Sequence, residues 1–405
     1  MNQHQWVKLL AATAAVVGLA YWVNTSREPQ VSQEAGGAPL VAGMKASINA
    51  VTQLRVVAAG DKTLVTLDKN ETGWTVAERD GYPADIEKVR EYLLRLADST
   101  LLEAKTSTEA LYAKLGVENV SADTAKGQRI EISGLKTPLK LIVGNFNGQG
   151  GSGTFVRRND ETQTWLAKGT LTPEMLPANW LQKALIDLPS ARIQRVQIDV
   201  ADNQLVAQKA TPVDANFQID NVPKGRELNS AFEGNGLAAV LSGLRFEDVK
   251  KASADELSAA NATIKARYQT FDGLVVTALA RNVDDKNWVS FAAEIDPVIA
   301  ATSILQQQEQ AHVDYESAKK AQVDAAANQS AQEGKETVEV PPPPTEPLAM
   351  SDANKDRAER MQKLEQEVRD LNARFNGWLY SLSPFTYSSM SRKIDDLLKP
   401  ESPEA

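Results

Sequence analysis

The chain has 405 residues, with 44 lysines and arginines against 53 aspartates and glutamates, and a formal net charge of −9. With 42% hydrophobic and 24% charged residues it has the makeup of a globular protein of two or three folded units. An acidic balance argues against nucleic-acid binding, the absence of cysteine excludes disulfides, thiolate metal sites and cysteine nucleophiles, and two histidines (His4 and His312) cannot furnish a multi-histidine zinc site.

The first feature in chain order is apolar. Residues 9–23 carry no charge, and Trp6 and Val7 extend the run past Lys8. Residues 7–23 would span roughly 26 Å as a helix, with Trp6 at one end and Tyr21 and Trp22 at the other, where interfacial aromatics lie. This predicts a short tail over residues 1–6 and a transmembrane anchor over 7–23. A cleaved signal is the rival, since Gly18-Leu19-Ala20 resembles a cleavage site, but the apolar run continues beyond it. Residues 24–45, rich in Ser, Gln, Gly and Pro, read as a flexible tether.

The body alternates short strands with one amphipathic helix, twice. In the first pass, residues 53–58, 63–68 and 74–76 read as strands. Asp85 is placed to cap a helix over 86–97, whose Ile86, Val89, Leu93 and Leu96 recur at helical spacing. Strands follow at 129–133, 139–143, 154–157 and 164–167. In the second pass, strands at 196–200 and 204–208 form a hairpin, Phe217 takes the place of Trp74, and a helix at 237–244 precedes strands at 263–268, 274–280 and 288–292. One order of elements at an offset of about 140–145 residues predicts an α+β fold of two tandem ββαβββ-like repeats with antiparallel sheets, over 46–190 and 191–298.

Asn179-Trp180-Leu181 at the end of copy one and Trp378-Leu379-Tyr380 near the C-terminus look like counterparts. Residues 299–377 are then an insertion in copy two. It begins with a Gln/Ala/Glu/Lys-rich helix. A Pro-rich disordered bend follows at 333–350, around Pro341-Pro342-Pro343-Pro344. The second helix carries Ala358, Met361, Leu364, Val368, Leu371 and Phe375 at coiled-coil spacing. Residues 378–398 are expected as the closing helix of copy two, and 399–405 as a disordered tail.

Chemical motifs are few, and no catalytic, cofactor-binding or metal-binding residue emerges. The glycine-rich stretch 144–153 lies between two strands and no lysine follows it, which fits a hairpin loop rather than a phosphate loop. Ser133-Gly134-Leu135-Lys136 and Ser317-Ala318-Lys319-Lys320 match Ser-x-x-Lys without the companion motifs of penicillin-binding enzymes. Asp284-Asp285 and Asp395-Asp396 are acidic pairs read as a turn and a helix surface. Trp74, Trp180, Trp288 and Trp378 are read as core or hinge aromatics rather than as platforms for a sugar.

Glu71-Thr72-Gly73-Trp74-Thr75-Val76, then Gly81-Tyr82-Pro83-Ala84-Asp85, Leu115-Gly116-Val117 and Leu139-Lys140-Leu141-Ile142-Val143-Gly144, resemble the bacterial family named domain of unknown function 4340. The likeness is clear over about residues 64–168; copy two keeps the element order without the Pro-Ala-Asp and Ile-Gly signatures. The resemblance implies a membrane-anchored extracytoplasmic protein, often encoded near ABC-type transporters of the gliding-motility kind. It brings no catalytic residues. The expected role is therefore non-enzymatic: an inner-membrane, single-pass accessory or scaffold protein with its bulk in the periplasm, binding other envelope or transporter proteins through the 299–377 arm. The alternative is a periplasmic carboxylate-based hydrolase or carbohydrate-binding protein.

Overall fold

A computed structural model describes residues 37–148, 152–283, 286–330 and 342–400. These form two compact units, one reaching to Gln182 and the other starting at Lys183. Each is mixed α/β around an antiparallel sheet. The predicted tail and anchor, most of the tether, Asp284-Asp285, the first half of the Pro-rich bend and the end of the C-terminal tail lie outside the described residues; the second half of the bend, expected to be disordered, ends in the short helix Leu348–Ser351. Among the described residues, no helix is long and apolar enough to cross a membrane.

The first unit contains β1 (Gln53–Ala58), β2 (Lys62–Asn70), β3 (Gly73–Val76), β4 (Tyr82–Pro83), β5 (Leu101–Ala104), β6 (Gln128–Ser133), β7 (Leu139–Asn147), β8 (Gly153–Arg158) and β9 (Thr164–Lys168). They lie in the order β4-β3-β2-β1-β6-β7-β8-β9-β5. Leu54, Val56, Ile130, Leu141 and Val143 alternate along the central strands and are fully buried. The helix Ile86–Asp98 starts where the Asp85 carboxylate accepts from the Glu87 and Lys88 N–H groups, and it buries Val89, Tyr92, Leu93 and Leu96. The Asp85 N–H donates to the Trp180 carbonyl at 2.7 Å, tying the end of the unit to the helix start. A smaller cluster of Tyr112, Val117 and Ile142 gathers partly buried Leu115 and Phe155 around it.

The second unit opens with β10 (Ala184–Ile186), paired with β14 (Leu244–Arg245). Its main sheet contains β11 (Ile193–Val200), β12 (Asn203–Gln208), β13 (Gln218–Ile219), β15 (Asp248–Lys251), β16 (Ile264–Thr270), β17 (Leu274–Val283), β18 (Lys286–Ile295) and β19 (Trp378–Ser381). Their order is β13-β12-β11-β16-β17-β18-β19-β15. Strand for strand this repeats β3-β2-β1-β6-β7-β8-β9-β5. The ladders agree in detail: Leu67 pairs with Val76 on β3 and Ala207 with Ile219 on β13, so Trp74 and Phe217, two residues earlier, occupy one position. They are 8% and 3% exposed.

Four expectations need correction. Residues 378–398 are not a closing helix: they begin as strand β19, continue as the helix Pro384–Met390 and end in a 3-10 turn, Ile394–Leu397. The ββαβββ shorthand omits a strand directly after each helix, β5 and β15, whose four residues are held by pairing rather than by a strong apolar pattern. The counterpart of Trp378 is not Trp180. β19 holds the place of β9, and the ladders that join Val156 to Trp165 and Val289 to Tyr380 align Tyr380, not Trp378, with Trp165. The bridges Ala84 to Leu181 and Leu228 to Leu398 likewise align Trp180 with Leu397.

The fourth concerns the arm. Residues 159–163 join β8 to β9, whereas residues 296–377 join β18 to β19. The helix Pro297–Ser330 leaves from a turn where the Asp296 N–H donates to the Gly273 carbonyl at 2.8 Å. Ala300 packs so closely there that a Cβ on Gly273, which has φ +90°, would come within 2.7 Å of the Ala300 nitrogen. The return helix Ala353–Phe375 is more than a coiled-coil partner, because its last turns belong to the core. Leu364, Leu371 and Phe375 are buried, and the Phe375 ring lies 5.5 Å from that of Phe291 on β18.

Candidate functional site

The arm is divided by its own packing. Near its root, Arg192 donates to both carboxylate oxygens of Glu367, at 2.6 and 2.7 Å, and to Asp272 at 2.9 Å. The Glu367 and Asp272 hydrogen bonds raise the Arg192 pKa above its ordinary value, outweighing burial. About three turns outward, Asp356 accepts from Arg360 at 2.8 Å and from Gln308 at 2.9 Å, and Arg360 also donates to Gln307 at 2.6 Å. Arg360, and then Gln308, hold the Asp356 carboxyl below its usual range.

The return helix starts at that level, since Gln308 also donates to the Ala353 carbonyl at 2.8 Å. Farther out the first helix meets the short turn Leu348–Ser351. From Glu316 to Ala326 no side chain is buried, and Val323 is 59% exposed. Ala, Gln, Lys and Asp dominate this stretch, so the backbone makes its helical bonds without burying an apolar stripe.

A second exposed feature is a groove of about 710 Å³ in the second unit, between the helices Glu233–Ala238 and Pro384–Met390. Leu237, Val240 and Phe246 line it, with Phe232 (64% exposed) and Phe385 (79%) at its margins. An Arg392–Glu233 ion pair of 3.0 Å also lies at the groove.

The motifs singled out in the sequence fall apart in space or into structural roles. The glycine-rich stretch joins β7 to β8, which pair antiparallel. Ser133 ends β6 and Lys136 lies in the turn to β7; Ser317 and Lys320 are exposed on the arm. Asp396 accepts from the Lys393 N–H inside its own turn. Trp74, Trp180 and Trp288 are buried: Trp180 donates to the Glu174 carbonyl at 3.0 Å and stands edge-on to Tyr92, and the Trp288 ring lies under the Lys250 ammonium at 5.0 Å. None of these three offers a face on which a sugar could stack. Among the described residues, no three His, Asp or Glu side chains are grouped to hold a metal ion.

Sequence reasoning missed two arginines buried among the described residues, Arg157 on β8 and Arg281 on β17, each 4% exposed. Arg157 donates to the Val117 carbonyl at 3.0 Å, the Glu161 carbonyl at 3.2 Å and Asn119 at 2.6 Å, and lies over the Tyr112 ring at 4.7 Å. Burial lowers its pKa, and the charges of Tyr112 and Glu109 oppose that shift. A charge within an otherwise strand-like run was the available signal.

The comparisons bear on the same region. Residues 74–263 match the family described as domain of unknown function (DUF4340), in agreement with the resemblance carried by Trp74, Asp85 and Gly144. The match starts on β3 and continues through the helix Glu233–Ala238 and β15, so it includes residues of both units. No curated protein and no solved structure matches the chain.

Proposed function

We propose that the protein is a membrane-anchored, extracytoplasmic accessory or scaffold subunit, built from two copies of one α/β fold, that binds other proteins through the arm inserted in its second copy. The observation that carries this reading is the division of the arm. Its root is locked to the body by Arg192 and Phe375, and Asp356 ties its two helices together, while residues 316–326 are helix with no buried side chain. A long helix with exposed outer turns suits reach towards a partner, and at about 1.5 Å per residue the first helix is roughly 50 Å long. The family resemblance supports an envelope setting near ABC-type transporters, and the apolar run over residues 7–23 supports a single-pass anchor in the inner membrane with the bulk in the periplasm. The two matching strand orders support the duplication.

The test is to replace residues 313–346 with a short Gly/Ser linker, leaving the root intact. Crosslinking and mass spectrometry of membrane extracts then compare the variant with the wild type. The variant is expected to melt like the wild type and to lose one or more crosslinked proteins. Retention of every crosslink would remove the arm from the function.

A further inference from the structure

The two sheets handle a buried guanidinium differently. In the first unit, every bond that Arg157 makes goes to an acceptor within its own unit, and Tyr112 covers its face. In the second unit, Arg281 is equally buried, yet among the described residues Nε, Nη1 and Nη2 all lack an acceptor. An arginine keeps its charge at any physiological pH, so burial cannot be relieved by losing a proton. Leaving such a group unpaired is among the most costly arrangements a protein interior can contain.

Two described carboxylates near it, Asp248 and Glu256, are engaged elsewhere. Arg281 stands directly across from Trp288, and the row continues through Ser381 to Asp248 on β15. An Asp248 oxygen accepts from the Val249 N–H at 2.9 Å. Glu256, whose charge also reaches Arg281, is held by the Lys250 ammonium at 2.8 Å and by the N–H and hydroxyl of Ser253 at 2.9 and 3.0 Å. Lys250 in turn lies over the Trp288 ring. Arg281 is thus paired across the sheet with an indole that Lys250 covers, and the Glu256 carboxylate is already bonded to Lys250.

The position is also distinctive within the duplication. Following the ladders from Ile130–Leu141 and Ala266–Ala278, Arg281 takes the place of Gly144. At Gly144 the backbone of Leu115 and Gly116 presses so close that a Cβ would come within 2.4 Å of the Leu115 carbonyl oxygen. The second unit has a long cationic side chain at the place where the first has none.

We propose that Arg281 is the anchor of an anion site in the second unit, taking one small oxyanion of the carboxylate or phosphate type, with Trp288 and Lys250 beside it. A guanidinium binds such groups through two parallel N–H···O bonds, which would satisfy the orphaned donors together.

The test is thermal unfolding of the full chain, titrated separately with inorganic phosphate, with acetate and with sodium chloride as the ionic-strength control. Wild type is expected to gain roughly 5–10 °C at a hundredfold excess of the preferred anion over its Kd, with no gain from chloride. The phosphate and acetate arms distinguish the two sources of the oxyanion. Arg281→Met should lose the gain while melting, without anion, no lower than wild type. Arg281→Lys should keep a single-point, weaker response. Equal gains in wild type and Arg281→Met would place the ion elsewhere and overturn the proposal. So would the absence of any gain combined with destabilisation by both Arg281→Met and the double change Asp284→Asn with Asp285→Asn, because the partner would then be internal.

Discussion

Asn372 holds Ala293 by both backbone groups: its side-chain oxygen accepts from the Ala293 N–H at 2.9 Å, and its amide donates to the Ala293 carbonyl at 2.8 Å. The reason lies in the sheet. β19 pairs with β18 only at Trp288 and Val289, so the same edge of β18 beyond Val289 has no strand beside it. A helix side chain supplies there what a longer strand would have supplied, and Phe375 seals the join.

Loss of that clamp should be measurable in the second unit. Asn372→Ala is expected to cost about 1–3 kcal/mol, since it leaves a buried N–H and carbonyl without partners, and Phe375→Ala about 3–5 kcal/mol. Urea unfolding followed by Trp288 and Trp378 fluorescence measures both. Values near zero would mean that the return helix adds nothing to the core.

Trp74 and Phe217 provide a matched pair. Trp74→Ala should cost roughly 3–5 kcal/mol in the first unit, and Phe217→Ala a similar amount in the second. Limited proteolysis should then open the unit that carries the substitution before the other. Cleavage of both units at once would argue that they unfold together.

Glu256 gives a pH signature. Lys250, followed by the Ser253 N–H and hydroxyl, draws its carboxyl down to about 2 from an ordinary 4.5. A depressed acid contributes stability that is present above pH 4.5 and lost as pH falls from 4.5 towards 2. The side chain is 35% exposed, so the contribution is at most about 1 kcal/mol. Amide protection factors over residues 252–262, corrected for the intrinsic pH dependence of exchange, should fall in that window, and Glu256→Gln should show the lower protection already at pH 6.

The apolar run over residues 7–23 predicts that the protein stays with membranes through high-salt and carbonate washes and keeps its N-terminus. A mature form beginning at Tyr21 would show a cleaved signal instead.

Much of the α/β pattern could be read from the chain because its signals are local. The hairpins of β1–β2 and β11–β12 have apolar alternation, and Asp85 has both a capping side chain and an amphipathic helix after it. What could not be read depends on pairing. β5, β15 and β19 are four-residue strands recognisable only by their neighbours. Trp378-Leu379 resembles Trp180-Leu181 by letter, yet it lies on the strand that matches β9, where register puts Tyr380 at the position of Trp165. The loss of the Ile-Gly signature in the second copy has a physical account, since Arg281 replaces Gly144 where the covering backbone differs. The buried arginines were hidden because a charge in a strand ordinarily faces water.

The unequal connections between the last two strands of each sheet also set an order of events in time. β9 follows β8 after five residues, so the first sheet can close as soon as its own segment exists. β19 must wait for residues 296–377, a roughly sixteenfold longer connection, and four doublings of a loop add roughly 2.5 kcal/mol of closure entropy. At about 5–20 residues per second of synthesis, the interval is roughly 4–16 s. Until it ends, β15 has no strand to pair with, and the edge of β18 is bare along its whole length. The second copy is thus the late and vulnerable half of the chain, and a chaperone or a slowed ribosome acting while residues 296–377 emerge would alter its yield far more than that of the first.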